Sequence, residues 1–408
     1  MKKSTIYIAD YILPMDDDNT LIENGGILVE DGIIKSIDAS EELTVTFPHA
    51  EVVYLENQLL MPGLINTHCH SGMLRGTAEG LPVWDWLQQY IDPMHRVLLP
   101  EDASLSSWLC YAEALLSGTT CIVDMWRYMH GSAEAAEQLG IRACLVPYVA
   151  EHPDHNYFET LDTNEQLINQ WHEKGDGRIQ VWVGLEHLFY AEPHALTRIA
   201  AMCNDYNVGF HTHSNESQFD VEQTLARYQC RPLHALERQG LLEAPKVLLA
   251  HCVWVDESEI PLMAHRNIGV AHNPISNMKL ASGAAPVVEM LKAGIAVGLG
   301  TDGEKENNNL DMFEEMKTAS LLAKFVKLDA ATLDAWDVCK MATVNGAKAL
   351  GLAQTTGSLE VGKSADMISI NLNTPRMTPL IASGPLMNIH HNLVHAVQGQ
   401  DVNMTMVA

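Results

Sequence analysis

The chain of 408 residues is short of positive charge: 25 Lys and Arg stand against 52 Asp and Glu, a formal net charge of -27. Such a field repels polyanions, which argues against nucleic acid and anionic membranes as partners. The eight cysteines form no CxxC pair and no regular spacing. Most lie in apolar runs such as Thr120-Cys121-Ile122-Val123, which reads as reduced core thiols in a cytoplasmic protein. No apolar run reaches membrane-spanning length. The one near the N-terminus is cut short by Asp10, so no signal peptide is expected. No GxGxxG motif follows the first strand of the main domain, so nothing points to a dinucleotide.

What is present alternates in period. Residues 1 to about 60 carry short β patterns (Thr5–Ile8, Gly26–Val29, Ile33–Ile37) separated by Asn-Gly-Gly and Asp-Gly turns, with no helical segment. From Pro62 onward, apolar runs at 61–67, 119–125, 141–149, 179–186, 208–213, 246–251, 267–272 and 295–301 alternate with helical stretches. Eight β-then-α units whose strands are continuous apolar runs predict a closed parallel (β/α)8 TIM-like barrel over residues 61–355. After a helix at 330–351 the β pattern resumes, with strands expected at Met367–Ile370, Leu393–Val397 and Met404–Val407. Residues 356–408 are therefore expected to rejoin residues 1–60 in one small β module.

Chemistry in such barrels collects at the C-terminal strand ends. The first strand runs into LINTHCHSGMLRG, where alternation turns His68 and His70 to one side and Cys69 to the other. The ends of the other strands supply Asp124 and Arg127, His187, His213 with Glu216, His251, His272 and Asp302. Three imidazoles and one carboxylate, His68, His70, His213 and Asp302, suit one divalent metal, Zn²⁺ or Fe²⁺, with an open position for water. Such an ion lowers the pKa of its water towards neutrality and so supplies hydroxide. Strand four offers no lysine for a metal bridge, which favours a single ion. Glu216, three residues past His213, is placed to protonate a ring nitrogen while the hydroxide attacks the adjacent carbon. His251 would orient and polarise the attacked centre; His187 and His272 either touch substrate or support the ligands. Asp124, His152, His155, His172, His390 and His391 read as structural or solvated residues.

These residues sit in motifs (MPGLINTHCH, HTHSNE, LAHCVWVDE, HNPISNMKLASG, GLGTDG, GSLEVGKSADM) that together resemble the cytosine-deaminase-like branch of the amidohydrolase superfamily. S-adenosylhomocysteine/methylthioadenosine deaminases, guanine-type deaminases and s-triazine hydrolases belong to that branch. The resemblance covers nearly the whole chain. It implies a (β/α)8 barrel with a β-sandwich built from both termini, metal at His68, His70, His213 and Asp302, and catalysis by Glu216, His251 and Asp302. Asp302 would also take the proton of the attacking water. Three departures stand out. His95 occupies the PxE position where nucleoside-processing members carry a ribose-gripping Glu. Glu304-Lys305-Glu306 replaces small residues after the GTDG turn. Relatives also continue past the last strand with a further hairpin and helix, so the sandwich is expected to be incomplete.

The expected function is hydrolytic deamination of an amino-substituted N-heterocycle of purine, pterin or triazine type, with ammonia released. A nucleoside deaminase of the S-adenosylhomocysteine/methylthioadenosine type, or an s-triazine hydrolase displacing chloride or alkylamine, is the alternative; a silent ligand-binding member is a third. An imidazole at His95 offers at most one acceptor, so a free or short-substituted heterocycle is expected to outcompete nucleosides. Trp84, Trp86 and Trp126 are candidate stacking surfaces, Arg127 a candidate for an oxo or anionic group, and Glu304 or Glu306 for an amino group. The expected partners are a small-molecule heterocycle and further copies of the chain in a homo-oligomer.

Overall fold

A computed structural model describes residues 4–72 and 74–408. Met1–Lys3 of the N-terminal reading and Met73 of the first-strand motif lie outside the described residues. The central body is a ring of parallel strands: Leu64–Cys69, Thr119–Trp126, Arg142–Pro147, Ile179–Leu185, Phe210–Ser214, Val247–His251, Gly269–His272 and Ala296–Leu299. Each overlaps one expected strand window, although the first, second and fifth run one or two residues past it, and Met61 and Pro62 of the first window belong to the strand Glu51–Pro62 of the other sheet. The fourth is broken at Trp182, and the break is where the ring closes. Ile179–Val181 pairs with the third strand and Val183–Leu185 with the fifth. Trp182 donates back to Leu145 O at 3.0 Å, while the next amide, of Val183, turns to Gly209 O at 2.9 Å. A side chain at Gly209 would meet the Trp182 ring at 2.3 Å, so the glycine makes room for the switch. The first two strands are buried along their whole length, as strands covered by helices outside and packed side chains inside must be.

Both termini build one six-stranded mixed sheet in the order Val402–Met406, Met367–Asn371, Glu51–Pro62, Ser4–Ile12, Ile22–Glu30, Ile33–Ala39. Arg142 on the third barrel strand ties it to the barrel through two hydrogen bonds to the buried Asp366 carboxylate, at 3.0 and 3.3 Å. This paired arrangement fixes direction as well as contact.

Four local expectations need correction. Asn24-Gly25-Gly26 is not a turn but part of the strand Ile22–Glu30, with Gly25 and Gly26 paired to Ala9 and Ile8. Ser40–Thr46 is a helix in the N-terminal segment. Its one buried apolar residue, Leu43, packs on Ile6 and Leu28, and a single residue gives no periodicity to read. The stretch 330–351 is two short helices, Ala335–Met341 and Val344–Leu350, after a longer one at Met312–Lys327. Leu393–Val397 is not a strand; it lies largely within the helix Ile389–His395. There Ile389, Leu393, Val394 and Val397 recur at helical spacing and are buried, although the short window LVHAV has β-like composition. His390 sits in this helix, stacked on the Trp336 ring at 4.5 Å, rather than in the β module. All eight cysteines are free, and only Cys230 is more than marginally exposed. Among the described residues no helix is long and apolar enough to cross a membrane.

Candidate active site

The first strand's alternation brings His68 and His70 together as expected, their rings 4.7 Å apart. Each imidazole is fixed by what its Nδ1 meets. His70 Nδ1 donates to Met125 O at 2.6 Å and His213 Nδ1 to Glu186 O at 2.9 Å, because a carbonyl can only accept. His68 is held one step further back. His211 Nδ1 donates to Leu248 O at 2.9 Å, which leaves His211 Nε2 to accept from His68 Nδ1, also at 2.9 Å. All three ligand candidates therefore turn Nε2 lone pairs inward.

Those atoms converge on Asp302. Its Oδ1 lies 3.5 Å from His68 Nε2 and 3.2 Å from His70 Nε2, and His213 Nε2 stands 3.3 Å from His70 Nε2. His68 Nε2 is buried without a hydrogen-bond partner. Facing imidazole lone pairs and an orphaned ring nitrogen beside a carboxylate call for a shared cation, so the donor set fits a metal. Asp302 has φ 60° and His251 φ 70°, the left-handed region that costs a side-chain-bearing residue roughly 1–3 kcal/mol. The fold holds both strand ends in that conformation, which aims the two side chains at one point. Ser276 Oγ donates to Asp302 Oδ2 at 2.7 Å, and His251 Nε2 stands 3.8 Å from the same oxygen. His251 is itself anchored through Nδ1 to Asn277 Oδ1 at 2.9 Å.

The electrostatics divide the carboxyl groups. Burial opposes ionisation of Asp302, but the His68 and His70 imidazoles against it hold its carboxyl well below the usual range. Glu216 goes the other way: burial, then the Asp220 charge, pushes its carboxyl well above the usual range. Glu216 does not cap the following helix. Ser217 and Asp220 do that reciprocally, and Asn215 at φ 54° makes the turn out of the strand. The Glu216 carboxyl is thereby left to line a cavity with His70, His213, His251 and Asp302. Burial lowers His68, His213 and His251, which keeps these imidazoles neutral. His187 is lifted well above its usual value, because the charges of Glu186 and Asp220 outweigh its burial.

The same cavity, about 20 Å³ in volume, is closed over by Val83, Trp86, Leu87 and Leu280, with Tyr148, Glu186, His187 and Glu306 on its walls. Trp84 packs on the far side of His187 at 5.1 Å between ring centres and donates to Ser217 Oγ at 2.8 Å. Four expected substrate contacts, Trp84, His95, Arg127 and His272, are not among the residues that line the cavity. His95 is buried against Trp126, Tyr148 and Phe158. Arg127 donates to His95 O and to Tyr128 Oη, tying the helix Asp92–Val97 to the end of the second strand. His272 is buried, absent from the cavity wall, and pushed down to about 3 by burial and by His251. Asp124 accepts from Ser71 N, Ser71 Oγ and Tyr111 Oη and so braces the loop after His70. Residues the sequence reading missed are His211, Glu186, Asp220, Ser276 and Asn277.

A closed parallel barrel with a His/Asp cluster at its strand ends defines a barrel hydrolase with a metal-binding centre. The chain belongs to the amidohydrolase family, whose model matches residues 59–408. It is 39% identical over 399 residues to a 5-methylthioadenosine/S-adenosylhomocysteine deaminase of Syntrophomonas wolfei, covering 97% of this chain and 90% of that one. It is also 39% identical over 401 residues to a 5'-deoxyadenosine deaminase of Methanosarcina acetivorans, with the same two coverages. The structure superposes on a zinc-bound adenosine deaminase from Xanthomonas campestris with TM-score 0.90 and 30% identity, covering 99% of this chain and 91% of that one. The protein is thus a deaminase, a hydrolase acting on C–N bonds.

Proposed function

We propose that the chain removes the 6-amino group of an adenosine-type nucleoside by hydrolysis, with one divalent transition metal, Zn²⁺ by preference, held by His68, His70, His213 and Asp302. When bound, the ion supplies a Lewis acid that makes water nucleophilic at neutral pH. The observation that carries this reading is geometric: a carboxylic acid, Glu216, and a carboxylate, Asp302, line one cavity together with the convergent Nε2 atoms. Glu216 holds its proton and gives it to a ring nitrogen, which makes the adjacent carbon electrophilic. Asp302 receives one proton of the water and delivers it to the departing amine, and the second returns to Glu216 as the hydroxyl becomes a carbonyl. His251, anchored by Asn277, polarises the attacked centre. The apolar cover of Val83, Trp86 and Leu87 excludes bulk water from these transfers, and it must open to admit a purine.

The nucleoside assignment is supported by the names of the relatives at 39% identity. His95 does not oppose it, because its ring is not on the cavity wall. Ammonia release from adenosine, 5'-deoxyadenosine, free adenine, pterins and aminotriazines, with metal-analysed enzyme, tests the proposal. Nucleosides should lead in kcat/KM by tenfold or more; a free heterocycle in front overturns the substrate assignment.

A further inference from the structure

Most polar groups on the cavity wall have a task in the chemistry or a partner. Glu186, for example, accepts from Tyr148 Oη at 3.3 Å and from His187 Nδ1 at 2.5 Å. Glu306 is different. Its Oε1 accepts from Lys305 Nζ at 2.8 Å, but its Oε2 is buried with no hydrogen-bond partner, in a residue that lines the cavity. The position is built, not incidental. Glu306 lies in the short helix Glu304–Asn307 directly after Asp302-Gly303. That helix is pinned by Lys279 Nζ to Lys305 O at 2.9 Å and by Asn307 Nδ2 to Thr301 O at 2.7 Å. The carboxylate folds back over Gly303, where a Cβ would sit 2.5 Å from Oε2, so this approach requires glycine. Lys305 is buried beside the Trp86 and Trp126 rings, at 5.8 and 5.5 Å, and fixes the carboxylate from behind.

We propose that Glu306 is a specificity-determining residue whose carboxylate accepts hydrogen bonds from the sugar hydroxyls of the nucleoside. The inference rests on the nucleoside reading above and goes beyond it by naming the group that reads the sugar. Glu216 enters the cavity from the fifth strand and Glu306 from the end of the eighth. Both carboxyl groups line the one cavity, so a nucleoside that meets Glu216 with its ring can present its sugar to Glu306. A carboxylate has about four acceptor sites, so one Lys305 bond leaves room for a vicinal hydroxyl pair. A buried anionic oxygen also selects against any substrate that brings no donor to it.

The test compares adenosine with 2',3'-dideoxyadenosine, which differ only in the two hydroxyls, on metal-loaded wild type and Glu306→Gln. Wild type should prefer adenosine by about 30-fold or more in kcat/KM. In Glu306→Gln that preference should collapse to within about threefold, with metal content and melting temperature little changed. Glu306→Ala, which deletes the carboxylate outright, must collapse the same ratio. A hydroxyl preference that survives in both variants, or an equal loss on both substrates, overturns the proposal and leaves the nucleoside reading standing. Absence of adenosine deamination by wild type, with turnover of a free heterocycle, overturns both.

Discussion

His211 Nε2 accepts from His68 Nδ1 at 2.9 Å, and this contact decides which nitrogen His68 turns toward the metal. His211 is buried and pushed down to about 3, mainly by that burial, so it remains a neutral acceptor at any working pH. Replacing it with Phe keeps much of the ring volume and removes the acceptor. His211→Phe is expected to weaken metal binding by about 10–100-fold, as loss of a ligand's orienting partner does. Competition against a calibrated chelator measures it; an unchanged affinity would show that packing alone orients His68.

How far the sequence could be read follows from strand geometry. Parallel barrel strands are continuous apolar runs, so the polar residue that ends each run stands out, and His68, His70, His213 and Asp302 were found that way. His211 does not stand out in this way because it sits inside a strand, two residues before His213 on the same face, and ends no apolar run. The facing of His95 was not legible for another reason. The turn Leu87–Ile91 just before its helix is a π-helix, and the wider turn shifts the phase that assigns later side chains to one face. Leu393–Val397 shows the limit of short windows: five residues of β-like composition cannot reveal a burial pattern that starts at Ile389.

Metal and fold should be linked. The four ligand candidates come from the first, fifth and eighth strands, so their site exists only in the folded barrel. Purified protein should contain about one transition metal per chain, and chelation should lower the melting temperature by several degrees, restored by Zn²⁺. An ion held with a thousandfold excess over its Kd contributes about 4 kcal/mol. A melting temperature indifferent to stripping and reloading, measured by calorimetry, contradicts the assignment.

Glu304 offers a pH signature separate from the metal ligands. Its carboxyl is buried with no hydrogen-bond partner and lies 3.6 Å from the Arg75 guanidinium. Burial pushes it up to about 7 from 4.5, the Arg75 charge notwithstanding. The folded state then keeps a proton that the unfolded chain releases, so this group's stabilising effect is complete below about pH 4.5 and is lost as pH rises through 7. The whole difference is about 3 kcal/mol. Glu304→Gln cannot titrate. The melting temperature of the variant minus that of wild type should therefore climb by a few degrees between pH 5 and pH 8, whatever constant offset the amide adds. A flat difference across that range would mean that Glu304 is ionised throughout.

Glu216 carries the sharpest functional prediction. The alternative to catalysis, a carboxylate that caps a helix, is met in this structure by Ser217 and Asp220 instead, which frees Glu216 for the cavity. Its work is to give a proton to the ring, an interaction realised as the transition state forms, so its loss should fall on kcat more than on KM. Glu216→Gln keeps the shape and a hydrogen-bond donor but has no proton to transfer. The variant should retain about one metal per chain and near-normal substrate affinity while kcat falls about 10²-fold or more. Steady-state kinetics on the best nucleoside, with metal content measured on the same preparation, separates this from a folding defect. Near-normal turnover would assign the proton transfer elsewhere, with His187 as the next group to examine: it stands 4.0 Å from Glu216 and 3.6 Å from Asp220, and its Nε2 has no hydrogen-bond partner.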